Sequence, residues 1–394
     1  MSPKRLVLAL IAGLAAALAL AAPASAAYDA HLDLPYDLNH ATTPLNRLDL
    51  YTPTGAAAGD NRPLVVYVHG GGWIRGDKSN RIADKAELFT SLGYVFASVN
   101  YRLSPDPPDT SDAARIRFPA QPADVGEAIG WLDRHVGEYG GDPERILLVG
   151  HSAGAQLVSL IAADSRYIRA FAVFPWQIMG AVSLDTDAFD IAQQAAQTEN
   201  LENRTLIWNA FATPAENAAI PAYYRASAVQ WASAGDAPFL LVTGRNPSRI
   251  AANQAMATAL KQDPAGVLSL PYTHEQINTA LGGPGDTAGE TAAVTDFMDY
   301  ALTAAVPPTL KLTRTPGRKV HVKGRKATVR FRFEAKKGIA ASYECRLDNA
   351  EWTRCKPPKR YRLAPGAHTF RGRGIGDRGR IGPNKSYRFR VVRR

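Results

Sequence analysis

The stretch that most constrains the fold runs from Arg145 to Gly154 and reads RILLVGHSAG. Its first part, residues 146–149, is a short apolar run typical of a strand buried on both faces, and residues 153–163 favour a helix. A strand that turns sharply into a helix, with serine at the corner and glycine on either side, is the nucleophile elbow G-x-S-x-G. The pattern predicts that Ser152 has a strained backbone and exposes its hydroxyl as a nucleophile.

A second apolar run, residues 63–68, ends in His69 followed by three consecutive glycines and Trp73. Glycines leave backbone N–H groups uncovered, which is how a loop after an earlier strand supplies an oxyanion hole. We therefore expect the N–H groups of Gly71, Gly72 and Ala153 to bind the oxyanion of a tetrahedral intermediate.

Strand-like and helix-like segments alternate along the chain. We predict strands near residues 47–51, 63–69, 94–100, 145–150, 180–185, 239–244 and 267–272, and helices near residues 79–92, 121–137, 153–163 and 288–304. Such alternation is typical of βαβ units and predicts an α/β fold with a mainly parallel sheet. The segment 186–235 contains Trp208, Tyr223, Tyr224 and Trp231. These aromatic side chains either line a substrate pocket or pack internally.

Five stretches together resemble bacterial carboxylesterases of the α/β-hydrolase fold. They are HGGGW, VNYRLSP at 99–105, FPAQPADVGEAIGWL at 118–132, YGGDPERILLVGHSAGAQL at 139–157 and THEQIN at 273–278. The similar branch contains feruloyl esterases, hormone-sensitive-lipase-like esterases and kynurenine formamidase. The resemblance covers roughly residues 46–302 and implies an α/β-hydrolase domain that cleaves small carboxylic esters with a serine and without a metal or organic cofactor. We place this domain at residues 28–304. Amide hydrolysis of the arylformamidase type is the alternative activity.

In this fold the acid and the histidine follow the serine in that order along the chain. Of the eight histidines, only His274 lies after the last predicted strand and before the C-terminal region. His274 is therefore the expected general base, which takes the proton from Ser152 and returns it to the leaving group.

The position of the acid differs from that in the related enzymes, which have an aspartate just after the strand that corresponds to residues 239–244. Residues 243–249 read TGRNPSR and contain no carboxylate. We expect Asp185, at the end of the preceding strand, to supply it. Asp187 is the second choice, and Asn246 as a neutral substitute stays open. The missing carboxylate also leaves open a catalytically degenerate hydrolase fold that serves as a surface-binding protein.

The N-terminus has the pattern of a secretory signal peptide. Lys4 and Arg5 precede an apolar segment, residues 6–20, and Ala24-Ser25-Ala26 fits the A-x-A cleavage rule. The apolar segment is shorter than the roughly 20 residues that a membrane span needs, so a transmembrane anchor is not expected. We predict a signal peptide at residues 1–26 and a secreted protein.

The composition changes abruptly after Pro307-Pro308. Residues 307–394 contain 26 Lys and Arg and 5 Asp and Glu, a net charge of +21, whereas the whole chain carries +10. The remainder therefore carries −11. Alternating apolar and polar residues predict strands near 327–333, 341–347, 367–373 and 386–392, and hence a small all-β sandwich at residues 309–394.

Residues 343–370 resemble Ig- or fibronectin-like modules of secreted actinobacterial proteins. Cys345 and Cys355, the only two cysteines, can face each other across a hairpin, and we expect a disulfide between them in an exported chain. The charge predicts non-specific binding of polyanions such as cell-wall polymers, anionic lipid surfaces or nucleic acid. A soluble basic spacer is the alternative. Sequence-specific recognition of nucleic acid is not expected, because no matching motif is present.

Overall fold

A computed structural model describes residues 28–37, 43–197, 201–305, 307–376 and 381–394 of the chain. The predicted signal peptide at residues 1–26 lies outside these ranges. The described residues form an eight-stranded sheet flanked by helices, followed by an all-β module with two smaller sheets.

The larger sheet is mostly parallel. Its strands are β1 (Tyr28–Pro35), β2 (Arg47–Pro53), β3 (Arg62–Val68), β4 (Val95–Val99), β5 (Gly141–His151), β6 (Ile178–Leu184), β7 (Phe239–Thr243) and β8 (Leu268–Ser269). Their spatial order is β1-β2-β4-β3-β5-β6-β7-β8. β2 pairs antiparallel with β1 and β4, and the strands from β4 to β8 pair in parallel. The carboxyl ends of β5, β6 and β7 therefore lie side by side at one edge of the sheet.

Helices cover both faces of this sheet. They are α1 (Ala83–Ser91), α2 (Ala120–His135), α3 (Ala153–Ala163), α4 (Arg166–Arg169), α5 (Ile191–Gln197), α6 (Leu201–Ala210), α7 (Pro214–Ala219), α8 (Ala222–Ala226), α9 (Pro247–Ala259), α10 (His274–Ala280) and α11 (Glu290–Ala305). Successive residues of a strand point to opposite faces. Accordingly, Ile146 and Leu148 of β5 enter a core with α2, α3 and α9, and Leu147 enters a second core with α1, α10 and α11.

The predicted α/β class is confirmed. Two strands differ from the prediction, since β1 was not expected and β8 spans only two residues.

The segment 186–235 forms the four helices α5 to α8. Of its aromatic residues, Tyr223 is buried, Trp208 and Trp231 pack against the core, and Tyr224 is half exposed. The aromatic side chains of this segment therefore serve mainly for packing.

The C-terminal module is all-β, as predicted. Its strands are β9 (Thr309–Arg314), β10 (Lys319–Val322), β11 (Ala327–Lys337), β12 (Ser342–Leu347), β13 (Thr353–Cys355), β14 (Lys359–Leu363), β15 (Gly366–Ile375) and β16 (Lys385–Arg393). One sheet has the order β10-β16-β15-β12-β13 and the other β14-β11-β9. The two sheets share a core in which Phe331 stacks on Phe370, with ring centroids 4.1 Å apart. A disulfide joins Cys345 to Cys355.

No helix in the described ranges combines the length and the apolar character that crossing a bilayer requires.

Candidate active site

Ser152 lies at the corner between β5 and α3. Its φ of 55° and ψ of −119° are values that residues other than glycine avoid. A Cβ at Gly154 would lie 2.1 Å from the carbonyl oxygen of Val68, and one at Gly150 would lie 2.3 Å from that of Gly154. Both neighbours of the corner must therefore be glycine if strand and helix are to approach this closely. The turn holds the serine side chain at the carboxyl edge of the sheet.

His274 contacts both Ser152 and Asp185. Its Nε2 lies 3.0 Å from Ser152 Oγ, and its Nδ1 lies 2.6 Å from Asp185 Oδ2. A neutral imidazole carries one N–H, and the carboxylate accepts it at Nδ1. Nε2 is then left as an acceptor for the serine proton. The structure thus brings three predicted site residues, from the ends of β5 and β6 and the start of α10, into one hydrogen-bonded chain.

Asp185 is held as a carboxylate although it is only 1% exposed. Its Oδ1 accepts hydrogen bonds from Thr243 Oγ1 and from the Gly244 N–H, each at 2.8 Å. The guanidinium of Arg249 also contacts its Oδ2. Burial raises the pKa of Asp185, but the hydrogen bonds from His274 and Gly244, the charge of Arg249 and the bond from Thr243 lower it by more, to well below its usual range. The group is therefore ionised at neutral pH.

The two alternatives to Asp185, which are Asn246 and Asp187, have other partners in the described residues. Asn246 Oδ1 accepts hydrogen bonds from the N–H groups of Ser248 and Arg249, at 3.0 and 3.4 Å, and so caps the N-terminus of α9. Asp187 Oδ2 lies 3.9 Å from Nε of Arg249, with which it forms a loose ion pair. The carboxylate that is hydrogen-bonded to His274 is therefore that of Asp185. Asn246 caps α9 and does not replace the acid.

Sequence reasoning missed His151, which occupies the variable position of G-x-S-x-G. The side chain is 3% exposed, and its Nε2 lies 3.0 Å from the carbonyl oxygen of His274. The two imidazole rings lie 4.5 Å apart. Burial, followed by the charge of His274, lowers the pKa of His151 to about 3. A neutral His151 can thus donate its Nε2–H to that carbonyl and fix the backbone of His274.

The three predicted oxyanion donors lie beside Ser152. Gly71 and Gly72 line one cavity with Ser152, and Ala153 lines a second cavity with Ser152 and Gly72. Among the backbone hydrogen bonds of the described turns, loops and helix caps, none has the N–H of Gly71, Gly72 or Ala153 as its donor. As the first residue of α3, Ala153 cannot donate within its own helix. All three N–H groups are thus available to a ligand.

Two cavities meet at Ser152 and Gly72. The larger, about 630 Å³, is lined by polar side chains that include Arg75, Asn80, Arg81, His274 and Glu275. The smaller, about 180 Å³, is lined by Trp73, Leu206 and Ile207 together with Asp185, Asp187 and Arg249. No group of three or more His, Cys, Asp or Glu suited to a metal ion occurs within the described ranges. The site therefore places the Ser152 hydroxyl between a large cavity and a small one, both lined by polar and apolar groups.

The chain is similar to known proteins in sequence. The family model BD-FAE matches residues 48–261. Two relatives come from Mycobacterium tuberculosis: a probable carboxylic ester hydrolase, LipM, is 28% identical over 262 residues, and the esterase LipQ is 26% identical over 270 residues. Each alignment covers 64% of this chain, and 58% and 59% of the two relatives. The chain thus spans about three fifths of the length of these curated relatives.

Solved structures show the same fold. Esterase B from Lactobacillus rhamnosis superposes with a TM-score of 0.53 at 19% sequence identity. The superposition covers 70% of this chain and 86% of that protein. At this identity the similarity concerns the fold alone.

Proposed function

This chain belongs to the BD-FAE family, and from that premise we propose that it is a carboxylic ester hydrolase with Ser152 as nucleophile, His274 as general base and Asp185 as the acid. One observation carries the proposal: Ser152 Oγ, the His274 ring and Asp185 Oδ2 form a continuous chain of contacts of 3.0 and 2.6 Å. The names of the relatives LipM and LipQ support an ester as the substrate.

The reaction follows from these positions. Ser152 Oγ attacks the ester carbonyl carbon while His274 Nε2 takes its proton, and Asp185 stabilises the imidazolium that forms. The N–H groups of Gly71, Gly72 and Ala153 hold the negative oxygen of the tetrahedral intermediate. His274 then gives the proton to the leaving alcohol. A water molecule, deprotonated by the same imidazole, releases the acid from the acyl-enzyme.

The two cavities suggest how an ester lies in the site. Because His274 must protonate the leaving oxygen, the alcohol part belongs in the cavity that His274 lines, which is the larger one. The acyl part then occupies the cavity of about 180 Å³ beside Trp73, Leu206 and Ile207. We propose esters of short-chain acids with larger alcohols as substrates.

Steady-state hydrolysis of p-nitrophenyl esters of increasing acyl length tests the proposal. We expect kcat/KM to be highest for short acyl chains and to fall as the chain outgrows the small cavity. The Ser152→Ala variant should fall to near background, a loss of about 10⁴-fold or more. Equal rates for the variant and the unchanged protein would contradict the proposed nucleophile. Faster turnover of an aryl formamide than of any ester would favour the amide-hydrolase alternative.

The alternative of a catalytically degenerate binding protein was motivated by the absence of a carboxylate in residues 243–249. The hydrogen bond between Asp185 and His274 supports a carboxylate supplied from the end of β6 instead. The same assay separates the two functions, because a degenerate protein would hydrolyse no ester faster than Ser152→Ala does.

We also propose that the chain is exported after cleavage of residues 1–26. The Ala24-Ser25-Ala26 pattern supports this, as does the disulfide between Cys345 and Cys355, since disulfides persist in oxidising compartments. Protein recovered from the culture medium should begin at Ala27 or Tyr28 on N-terminal sequencing. An uncleaved chain retained in the cells would contradict export.

For residues 309–394 we propose an Ig- or fibronectin-like sandwich. The shared core of the two sheets, with Phe331 of β11 stacked on Phe370 of β15, supports this assignment. A crystal structure in which the two sheets do not pack face to face would contradict it.

A further inference from the structure

One face of the C-terminal module is built of arginines. Along β11 the side chains alternate, so that Val329 and Phe331 are buried, whereas Arg330 and Arg332 lie on the outer face. The neighbouring strands add Arg314 on β9 and Arg360 and Arg362 on β14. We call these five residues, Arg314, Arg330, Arg332, Arg360 and Arg362, the arginine face.

The strand register places like charges directly opposite each other. Arg330 faces Arg360 across the β11–β14 pair, and Arg332 faces Arg314 across the β11–β9 pair. Directly opposite side chains have Cβ atoms about 4.5 to 5.5 Å apart, and like charges there are destabilising. The nearby guanidiniums, Arg360 first, lower the pKa of Arg330. The register thus places like charges opposite each other at two positions of this sheet.

The arginine face also lacks counter-charges. Within the described ranges, none of its five members forms an ion pair, and Arg330 Nε has no hydrogen-bond acceptor. Three carboxylates of the module pair with other cations: Glu344 with Arg373, Asp348 with His368, and Glu334, at the next outward position of β11, with Lys311. The charge of the five arginines is therefore not neutralised by ion pairs among the described residues.

We propose that the arginine face binds a linear polyanion made of linked phosphate groups. The planar guanidinium fork of arginine matches phosphate oxygens in a bidentate manner. The Cβ atoms of neighbouring positions lie about 5 Å apart across the strands and about 7 Å apart along them, which lets several guanidiniums reach a chain of closely spaced anions.

The surface disfavours two other phosphate-bearing partners. The outward positions of β11 and β14 are Thr328, Arg330, Arg332, Glu334, Arg360 and Arg362, with no aromatic or large aliphatic side chain among them. Single-stranded nucleic acid is bound by stacking its bases on aromatic side chains, and a bilayer surface is bound through apolar side chains that insert. An extended phosphate polymer needs neither.

The test measures binding of fluorescently labelled long-chain inorganic polyphosphate to the full chain by anisotropy as salt is raised. Neutralising five phosphates on a flexible strand predicts a slope of log K against log salt of about −3.5. The double variant Arg330→Gln/Arg360→Gln should lower the magnitude of that slope by about 1.4 and weaken binding on the order of tenfold near 0.1 M salt. It should also raise the unfolding midpoint of the module, because it relieves a like-charge pair.

The matched control is Arg388→Gln/Arg390→Gln, which removes the same charge from exposed positions of β16 on the other sheet. It should leave the slope and the affinity within about twofold of the unchanged protein, as expected for residues away from the bound phosphates. Equal losses in both variants would overturn the proposal in favour of a net-charge effect. Absence of polyphosphate binding would overturn it, as would tighter binding of single-stranded DNA or of phosphatidylglycerol vesicles at equal phosphate concentration.

Discussion

Asp185 reaches His274 from the end of β6, and the end of the next strand, β7, holds it there. Thr243 and Gly244 donate to Asp185 Oδ1, while Arg249 contacts its Oδ2. The residues that follow β7 thus contribute hydrogen bonds and a positive charge instead of the carboxylate itself. Oδ1 is thus anchored by Thr243 and Gly244, and Oδ2 contacts both His274 and Arg249.

Replacement of the acid tests this arrangement at a single residue. In Asp185→Asn the side chain keeps its size but favours the wrong imidazole tautomer, and we expect kcat to fall by about 10⁴ with little change in KM. Steady-state kinetics on a short p-nitrophenyl ester measure the effect. Asn246→Ala is the control, which should keep the activity and lose about 1 kcal/mol of unfolding free energy with the helix cap. A loss of less than tenfold in Asp185→Asn would exclude Asp185 as the acid.

His151 gives a second test at this scale. His151→Phe keeps a ring beside His274 but leaves the His274 carbonyl without its donor, so we expect kcat to fall about tenfold and unfolding free energy to fall by about 1 to 3 kcal/mol at pH 7. Kinetics and urea unfolding measure both. Unchanged kcat would show that the contact does not position the general base.

The pH dependence of His151 has a defined sign. The folded pKa is about 3 and the ordinary value is 6.5, so between these values the unfolded chain binds more protons. Stability therefore falls as the pH drops from 6.5 toward 3. Urea unfolding across this range should show a shallower fall for His151→Phe than for the unchanged protein, and parallel curves would contradict the neutral buried state.

At the scale of the elements, three helices meet behind the general base. Lys85 of α1, only 1% exposed, donates from Nζ to the carbonyl oxygen of Asn278 at 2.6 Å and thereby holds α10, the helix that begins with His274. Glu290, the first residue of α11, is fully buried, and neither of its carboxylate oxygens has a hydrogen-bond partner in the described chain. Burial lowers the pKa of Lys85 to about 8, and burial followed by the charge of Asp286 raises that of Glu290 to about 8.

Glu290→Gln should stabilise the protein in a pH-dependent way. Because the pKa of Glu290 is about 8 in the fold and near 4.5 in the unfolded chain, the unfolded chain loses its proton first, and stability falls as the pH rises from 4.5 to 8. Glutamine cannot ionise and avoids this loss. We expect the variant to be more stable by on the order of 2 kcal/mol at pH 8 and by little at pH 4.5, as measured by urea unfolding. A difference independent of pH would contradict the account.

The accuracy of prediction from sequence followed the strength of each local pattern. β3, β5 and α3 were predicted within a few residues, because strands buried on both faces read as continuous apolar runs and the glycines of the elbow are required sterically. β13 and β14 are short and rich in charge, so no periodicity marks them, and β8 has only two residues of the predicted strand 267–272. The sequence could not exclude Asp187 in favour of Asp185, because the direction of a side chain just after a strand depends on the backbone dihedrals there. The role of His151 depends on a contact 123 residues away.

At the scale of the whole molecule, the two parts of the chain differ in charge and have separate cores. Residues 307–394 carry +21 and the rest −11. The core of the module uses residues from 310 onward, whereas both cores of the larger sheet use residues before 303. All residues that line the two cavities at Ser152 precede residue 279. Catalysis and polyanion binding are therefore expected to be separable.

Truncation tests this separation. A chain that ends at Ala305 keeps every residue of the proposed active site, and we expect its kcat/KM for a short ester to stay within about twofold of the full chain, because no binding contact of the transition state is removed. Polyphosphate binding should be lost. A well-folded truncated chain, judged by circular dichroism, that hydrolysed esters more than tenfold more slowly would show that the module contributes to the site.

The central claim is that Ser152 is a nucleophile activated by His274 and Asp185, and covalent labelling with a fluorophosphonate tests it most directly. Intact-mass measurement and peptide mapping should give one adduct per chain, on Ser152, with slower labelling in Asp185→Asn and none in Ser152→Ala. An unlabelled folded protein, or an adduct on another residue that persists in Ser152→Ala, would contradict the account.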